Sequence, residues 1–156
     1  MRGHDVLEIA ARHLGEPYRF GARAELDNGD YQGPWDCAEF VTWCVRQAYG
    51  VTYGTTRYPG SDGPDPWTQA WYNQGHRDGA LIDIFKAVNT PGAVLIRKPG
   101  SNLSGHVAFS DGAGGTIEAY STRRGVIRHL ALAPGRFWHA GCLVPGVDYD
   151  GEGRTG

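Results

Sequence analysis

The chain has 156 residues, enough for about one domain around a single buried core. A hydrophobic content of 40% and a charged content of 21% are ordinary for a soluble globular protein. The formal net charge of −2 argues against nucleic acid as a partner, because nucleic-acid binding leaves a basic footprint. No stretch approaches the roughly 18 apolar residues of a membrane span, so no membrane partner is expected.

The first predicted element is a short amphipathic helix. Apolar residues at helical spacing follow Asp5, which can cap the start, and Gly15 comes after the last of them. Glycines, prolines and charged residues without any period fill residues 15–35. We therefore expect this stretch to form a loop.

The clearest helix spans residues 37–49. Its small and apolar side chains fall at positions i, i+3, i+4, i+7, i+8 and i+11, and Gly50 supplies the stop. An Asp-Pro pair at residues 65–66 suits the N-cap and first turn of a third helix that runs through Gln74.

The long segment 51–90 exceeds what the other elements need for their connection. It is rich in glycine, proline and aromatic residues, and we expect it to form the wall or lid of a cleft; the alternative is a disordered loop. Trp67 and Trp71 are spaced i, i+4 on the third helix, and this spacing favours a place for both in the core.

Beyond Pro91 the apolar period changes from helical to alternating, which is typical of strands. The predicted strands of an antiparallel meander are 93–97, 106–110, 116–120, 125–129 and a last one near 138–144. Helices first and strands after them predict an α+β fold. We expect one domain at residues 1–149 and a flexible tail at residues 150–156.

The three cysteines are Cys37, Cys44 and Cys142, an odd number at uneven spacing that makes a poor disulfide framework. On one helix Cys37 and Cys44 would lie roughly 10 Å apart at 1.5 Å per residue. That separation exceeds the ~7 Å limit for a disulfide, so reduced thiols are predicted. The sequence has neither a C-x-x-C pair nor an H-E-x-x-H motif, and we expect no metal or other cofactor.

Cys37 opens the clearest helix, at a position that suits a nucleophile. Asp36 is a good N-cap, and Glu39 three residues later completes the pattern of a capping box. Cys37 therefore falls in the first helical turn, where free backbone N–H groups and the helix dipole favour a thiolate. The alternative is a small buried core residue, as free cysteines commonly are.

The partner of Cys37 is predicted from the hairpin at residues 106–120, whose loop is DGAGG at 111–115. Symmetric pairing about that loop puts four apolar side chains on one face, Val107 opposite Ala119 and Phe109 opposite Ile117. The other face carries His106 with Glu118 diagonally across, within reach of a hydrogen bond, and small Ala108, which we expect to let a helix end approach. A nucleophile (Cys37), a base (His106) and an orienting carboxylate (Glu118) would then lie together. Backbone N–H groups at the start of the helix would stabilise the oxyanion. The alternatives are a strand-end histidine and a solvated carboxylate.

Four runs in the chain resemble NlpC/P60 peptidases, a papain-like cysteine family. In order they are LGEPYRFGA, WDCAEFVTWCVRQAYGV, PGAVL and GHVAFSDGAGGTIEAYS, and the match spans residues 5 to about 130. The resemblance implies a papain-like fold with N-terminal helices packed on a C-terminal antiparallel sheet. It also implies Cys37 as nucleophile, His106 as base and Glu118 as the third catalytic residue.

The resemblance further implies substrate contacts by Tyr18 and Asp36, the latter against the free amine or backbone of a stem peptide. Ala38 and Glu39 replace the family's usual serine and glycine, so we expect the Glu39 carboxylate among the substrate subsites. Ala93 replaces the aspartate of the usual proline-glycine-aspartate. These departures leave the chemistry in place and bear on substrate preference.

By resemblance the chain is a peptidoglycan hydrolase that cleaves an amide of the stem peptide through an acyl-enzyme, and we expect a monomer. The alternatives are a papain-like thiol hydrolase or acyltransferase on a lipid or acyl ester, and a non-catalytic phage structural or binding module. The N-terminus carries Asp5 and Glu8 where a signal peptide would be apolar. We therefore expect synthesis in the cytoplasm, and action on the cell wall after phage or prophage release or delivery by secretion machinery.

Overall fold

The structure, a computed structural model, describes residues 1–57, 59–61 and 63–150. The helices are α1 (Asp5–Ala11), α2 (Cys37–Tyr49), α3 (Thr68–Arg77) and α4 (Ile84–Ala87). The strands are β1 (Thr55–Thr56), β2 (Asp65–Pro66), β3 (Leu81–Ile82), β4 (Val94–Arg97), β5 (His106–Ser110), β6 (Gly115–Ser121), β7 (Gly125–Leu130) and β8 (Ala140–Cys142). The predicted α+β fold is confirmed.

Helix α2 has the predicted bounds, and both of its ends have the predicted chemistry. The Asp36 carboxylate accepts a hydrogen bond from the backbone N–H of Glu39 at 2.9 Å. Gly50 ends the helix with a φ of 72°, in the left-handed region that favours glycine. Helix α1 begins at Asp5 itself, the predicted cap, since His4 holds the N-cap position one residue earlier.

The predicted start of the third helix is wrong. Residues 65–66 form β2, which pairs antiparallel with β1, and the helix begins only at Thr68. The physical reason is the proline ring, which biases the preceding residue, here Asp65, towards extended backbone.

The main sheet is antiparallel and has the strand order β3-β8-β4-β5-β6-β7. Strands β4 to β7 form the predicted meander. The last strand departs from it, because β8 lies between β3 and β4 instead of beside β7. The two-residue strand β3 and the four-residue helix α4 were not predicted, and both are too short to show a periodic pattern.

The β5–β6 hairpin has the predicted register. Phe109 pairs with Ile117 and Ser110 with Thr116. In the loop, the Asp111 carboxylate accepts hydrogen bonds from the backbone N–H groups of Ala113 at 2.7 Å and Gly115 at 2.9 Å.

The two faces of the sheet carry separate cores. Helices α1 and α2 pack on the face that bears Val107, Phe109, Ile117 and Ala119. Ala108 belongs to the opposite face, where it packs with Leu95 and Trp138. The expectation that a helix end approaches Ala108 is therefore wrong, because α2 buries its apolar stripe against the more apolar face. His106 reaches the start of α2 from the end of the sheet, since it is the first residue of β5.

Residues near the start and the end of the described range contact each other through backbone hydrogen bonds and an ion pair. Arg2 forms a parallel β-bridge with Asp148, and the Asp148 N–H donates to the Met1 carbonyl at 3.0 Å. Asp150, the first residue of the predicted tail, forms an ion pair with Arg2 at 2.7 Å. The rest of that predicted tail, 151–156, lies outside the described residues. Within the described ranges, no helix combines the length and apolar character that crossing a membrane requires.

Candidate active site

Cys37 is the first residue of α2, at the base of a cleft of about 370 Å³. Tyr18 and Asp36 line the cleft with it, and so do Thr68 and Gly105. All three cysteines are free, so the predicted reduced thiols are confirmed. Cys37 differs from the other two in lining a cleft, whereas Cys44 and Cys142 lie in the core.

His106 lies between the Cys37 thiol and the Glu118 carboxylate. Its Nε2 is 2.8 Å from Glu118 Oε1, and its ring is also hydrogen-bonded to the Cys37 side chain. Since Nε2 faces the carboxylate, Nδ1 is the ring nitrogen left for the thiol. Burial lowers the pKa of His106, but the hydrogen bonds and negative charges of Cys37 and Glu118 outweigh it and raise the pKa to about 9. At neutral pH the ring is therefore a cation beside the Glu118 carboxylate.

Glu118 is fully buried behind the imidazole, and its carboxylate is held on several sides. Arg136 donates from Nη2 to Oε1 at 2.6 Å and from Nη1 to Oε2 at 3.1 Å, and the Thr116 hydroxyl donates to Oε2. Burial raises the pKa of Glu118, but the hydrogen bonds from His106 and Arg136 outweigh it and lower the pKa to about 2. Glu118 is therefore a carboxylate throughout the neutral range.

Sequence reasoning missed Arg136, although this side chain neutralises the buried carboxylate. It lies in the irregular stretch between β7 and β8, with its guanidinium 4.9 Å from the Trp138 ring and 5.6 Å from the Tyr120 ring. No local pattern marks this position. The signal that could have found it is Glu118 itself, because a buried carboxylate requires a cation or several donors.

The structure brings the predicted substrate residues Tyr18 and Asp36 to the cleft beside Cys37. Burial, with the negative charges of Cys37 and Asp36, raises the pKa of Tyr18 to about 12, so its hydroxyl remains a proton donor. Burial also raises the pKa of Asp36, although backbone N–H groups of Glu39 and Gly21 oppose the shift.

The structure does not bring Glu39 to the cleft. Its side chain is buried near the start of α2, where the carboxylate accepts a hydrogen bond from Ala24 N–H at 3.0 Å. Only half of the predicted capping box therefore forms, because the Glu39 carboxylate binds a loop instead of the N-cap backbone. Burial, with repulsion from Asp36 and Asp65, raises the pKa of Glu39 to about 8.

Two exposed aromatic side chains line the mouth of the cleft. Phe20 is 87% exposed and Trp67 is 49% exposed. Trp71 is in the core as predicted, but the same prediction for Trp67 is wrong. Trp67 has extended backbone as the N-cap of α3, so it does not share the helical face of Trp71. Segment 51–90 thus contributes residues 66–68 to a cleft wall.

Within the described ranges, no three side chains of the metal-binding types come together. A thiol at a helix start, an imidazole at a strand end and a buried carboxylate, on helices packed against an antiparallel sheet, define a papain-like thiol hydrolase. The CHAP domain model matches residues 27–121, and the chain belongs to this family. The matched stretch contains Cys37, His106 and Glu118.

Solved structures of NlpC/P60 domains share the fold. The NlpC/p60 domain of peptidoglycan hydrolase SagA has a TM-score of 0.65 at 19% identity, over 92% of this chain and 99% of that one. The P60 domain of an antigen from M. avium subspecies paratuberculosis has a TM-score of 0.60 at 20% identity, over 90% and 91%. Peptidoglycan hydrolase RipB from Mycobacterium tuberculosis has a TM-score of 0.63 at 19% identity, over 91% and 64%. No curated protein matches the chain significantly in sequence.

These comparisons confirm the predicted NlpC/P60-like fold and add the family to which the sequence belongs. Domains of the CHAP and NlpC/P60 kinds are cysteine peptidases and amidases that act on peptidoglycan, and this chain is an enzyme of that class.

Proposed function

We propose that the chain hydrolyses an amide bond in the stem peptide of peptidoglycan, with Cys37 as nucleophile, His106 as acid and base, and Glu118 as the orienting carboxylate. The observation that carries the proposal is the position of the His106 ring, hydrogen-bonded to the Cys37 thiol on one side and 2.8 Å from Glu118 on the other. A histidine fixed in this way has one nitrogen committed to orientation and the other free for proton transfer.

The reaction has two halves. The Cys37 thiolate attacks the amide carbonyl carbon, and backbone N–H groups at the start of α2 stabilise the oxyanion. When the C–N bond breaks, the His106 imidazolium donates its proton to the leaving amine, and a thioester remains on Cys37. Neutral His106 then takes a proton from water, whose oxygen attacks the thioester, and the carboxylic acid leaves as Cys37 regains its thiolate.

The 370 Å³ cleft is the proposed binding site for the acyl half of the stem peptide. Asp36 and the Tyr18 hydroxyl lie next to Cys37 there, which favours an amine or a backbone amide as their partner. We propose a monomer, since Cys37, His106 and Glu118 already meet within a single chain. The substrate places the proposed action at the cell wall, which the enzyme reaches by release or delivery.

The test is digestion of purified peptidoglycan, with the released fragments identified by mass spectrometry. We expect Cys37→Ala to abolish the digestion with the fold intact, and the core variant Cys44→Ala to retain it. Residual digestion by Cys37→Ala at more than a hundredth of the normal rate would remove Cys37 as the nucleophile.

A cysteine-directed electrophile separates catalysis from a merely retained scaffold. Burial holds the pKa of Cys44 well above its ordinary value and raises the pKa of Cys142 to about 12, so neither is expected to react near neutral pH. We expect labelling of Cys37 alone, and its loss in His106→Ala. Equal labelling of all three thiols would contradict the proposed pair.

A further inference from the structure

A second pocket, of about 450 Å³, lies on the other side of the proposed catalytic pair. Its lining consists of Arg97, His106, Tyr120, Pro134, Gly135 and Arg136. The cleft described above contains Cys37 but not His106, whereas this pocket contains His106 but not Cys37. The two spaces therefore flank the reacting pair.

The chemistry of amide cleavage assigns the halves of the substrate to these spaces. The acyl half ends covalently attached to Cys37, so it occupies the cleft on the thiol side. The leaving amine takes its proton from the imidazolium, so its nitrogen must come within hydrogen-bond distance of His106. The residue that carries this amine then extends into the pocket on the imidazole side.

Among the described residues, the lining of this pocket is basic and has no carboxylate. Arg136 directs its guanidinium to Glu118, so its charge is largely balanced by that buried anion. Arg97 is different. Its Nε donates to the Ser104 carbonyl at 3.0 Å, and within the described part of the chain no Asp or Glu forms an ion pair with it.

The position of Arg97 follows from the sheet. It pairs directly with His106 in the β4–β5 register, so the two side chains emerge side by side from the same face. Burial and repulsion from Arg136 lower the pKa of Arg97, which means that the pocket holds two partly buried cations close together. An anion bound there would relieve this repulsion and fill the free donors of the guanidinium.

We infer that this pocket binds a carboxylate on the residue that carries the leaving amine, with Arg97 as the residue that holds it. The inference rests on the proposed function, since it describes the leaving half of that same reaction. The substrate class is an amide whose leaving group is an amino acid with a free carboxylate, as distinct from a carboxamide or an uncharged amine. Arg97 is a specificity-determining residue and takes no part in bond breaking.

The experiment uses two synthetic stem peptides, made after the peptidoglycan digest has identified the bond that is cut. They are identical except that the leaving residue ends in a free carboxylate in one and a carboxamide in the other. We expect the wild-type enzyme to favour the carboxylate by about tenfold to a hundredfold in kcat/KM, with most of the difference in KM.

Arg97→Gln tests the assignment to this side chain. We expect it to abolish the preference, so that the two peptides are cleaved with kcat/KM values within about threefold of each other, because the carboxylate no longer has its ion-pair partner. The matched control is Arg128→Gln, an exposed arginine of strand β7, which is expected to keep the preference.

The outcomes separate the two proposals. Cleavage of both peptides at equal rates by the wild-type enzyme would overturn the inference and leave the proposed function standing. A preference that persists in Arg97→Gln, or that is lost equally in Arg128→Gln, would also overturn it. If the wild-type enzyme cuts neither peptide nor peptidoglycan, the proposed function fails and the inference fails with it.

Discussion

The ion pair between Arg136 and Glu118 offers the sharpest test of how this site is held together. Two parallel hydrogen bonds of 2.6 and 3.1 Å join the side chains, of which Glu118 is fully buried and Arg136 is 10% exposed. Arg136→Met removes the guanidinium and keeps much of the apolar volume. The buried carboxylate then keeps His106 and Thr116 as its hydrogen-bond partners among the described residues.

The expected cost is large because the stranded group is charged. Removal of one partner of a buried ion pair typically costs about 3–5 kcal/mol. The His106 cation still faces Glu118, so we expect the lower end, about 3 kcal/mol. For a chain of this length that corresponds to a fall in Tm of about 6–12 °C.

The assay is urea denaturation at pH 7, followed by tryptophan fluorescence. The control is Arg2→Met, which breaks the exposed pair with Asp150, where the two side chains are 48% and 47% exposed. This control should cost less than about 1 kcal/mol. The double variant Arg136→Met/Glu118→Gln removes both charges, and we expect it to be at least about 2 kcal/mol more stable than the sum of the single effects predicts.

The pH dependence supplies a second readout. Because the folded pKa of Glu118 is lowered to about 2, its contribution to stability is present above its unfolded pKa near 4.5 and is lost as the pH falls through 2. We expect Arg136→Met to weaken this dependence, since Arg136 is one of the groups that lower the pKa. A cost no larger than that of Arg2→Met, or strict additivity in the double variant, would refute the reasoning.

Three further predictions follow from other features. Because the pKa of His106 is raised to about 9, the ring keeps through neutral pH the proton that the leaving amine needs. We therefore expect kcat/KM to fall above about pH 9, and a kcat/KM that still rises at pH 10 would contradict this. Gly54 and Gly50 have nearly the same φ, 73° and 72°, but an added Cβ would clash with the Trp71 ring at Gly54 and would meet open space at Gly50. Gly50→Ala should therefore lower the free energy of unfolding by about 1–3 kcal/mol through backbone strain alone, and Gly54→Ala should lower it clearly more. Urea denaturation measures both values, and equal values would exclude the clash. Trp67→Ala should raise KM for stem peptides and change stability by less than about 0.5 kcal/mol, and an unchanged KM would remove its contact with substrate.

The parts of the structure that were predictable from sequence are those in which several local signals agree. Helix α2 has an apolar stripe, an Asp36 cap and a Gly50 stop, and its predicted bounds are correct. The β5–β6 hairpin has alternation on both sides of a glycine-rich loop, so the register that joins His106 and Glu118 follows from burial alone.

The remaining parts depend on tertiary contacts that leave no local pattern. Strand β8 lies between β3 and β4 because it pairs with strands that are distant in sequence. Arg136 binds the buried Glu118 carboxylate, which lies 18 residues earlier in the chain. Glu39 matches the spacing of a capping box, yet a neighbouring loop offers its carboxylate the Ala24 N–H. At these positions the competing partner comes from elsewhere in the chain.

The β-bridge between Arg2 and Asp148 has a practical consequence for protein engineering. Because the N–H of Asp148 bonds to the carbonyl of Met1 and Asp150 forms an ion pair with Arg2, a linker of a few glycines can join Asp150 to Met1 in a variant from which residues 151–156 have been removed. New ends can then be opened at exposed Arg123, in the turn between β6 and β7. In the resulting circular permutant, Cys37 and His106 would remain on one uninterrupted stretch of chain. A fusion partner could then be attached at the β6–β7 turn.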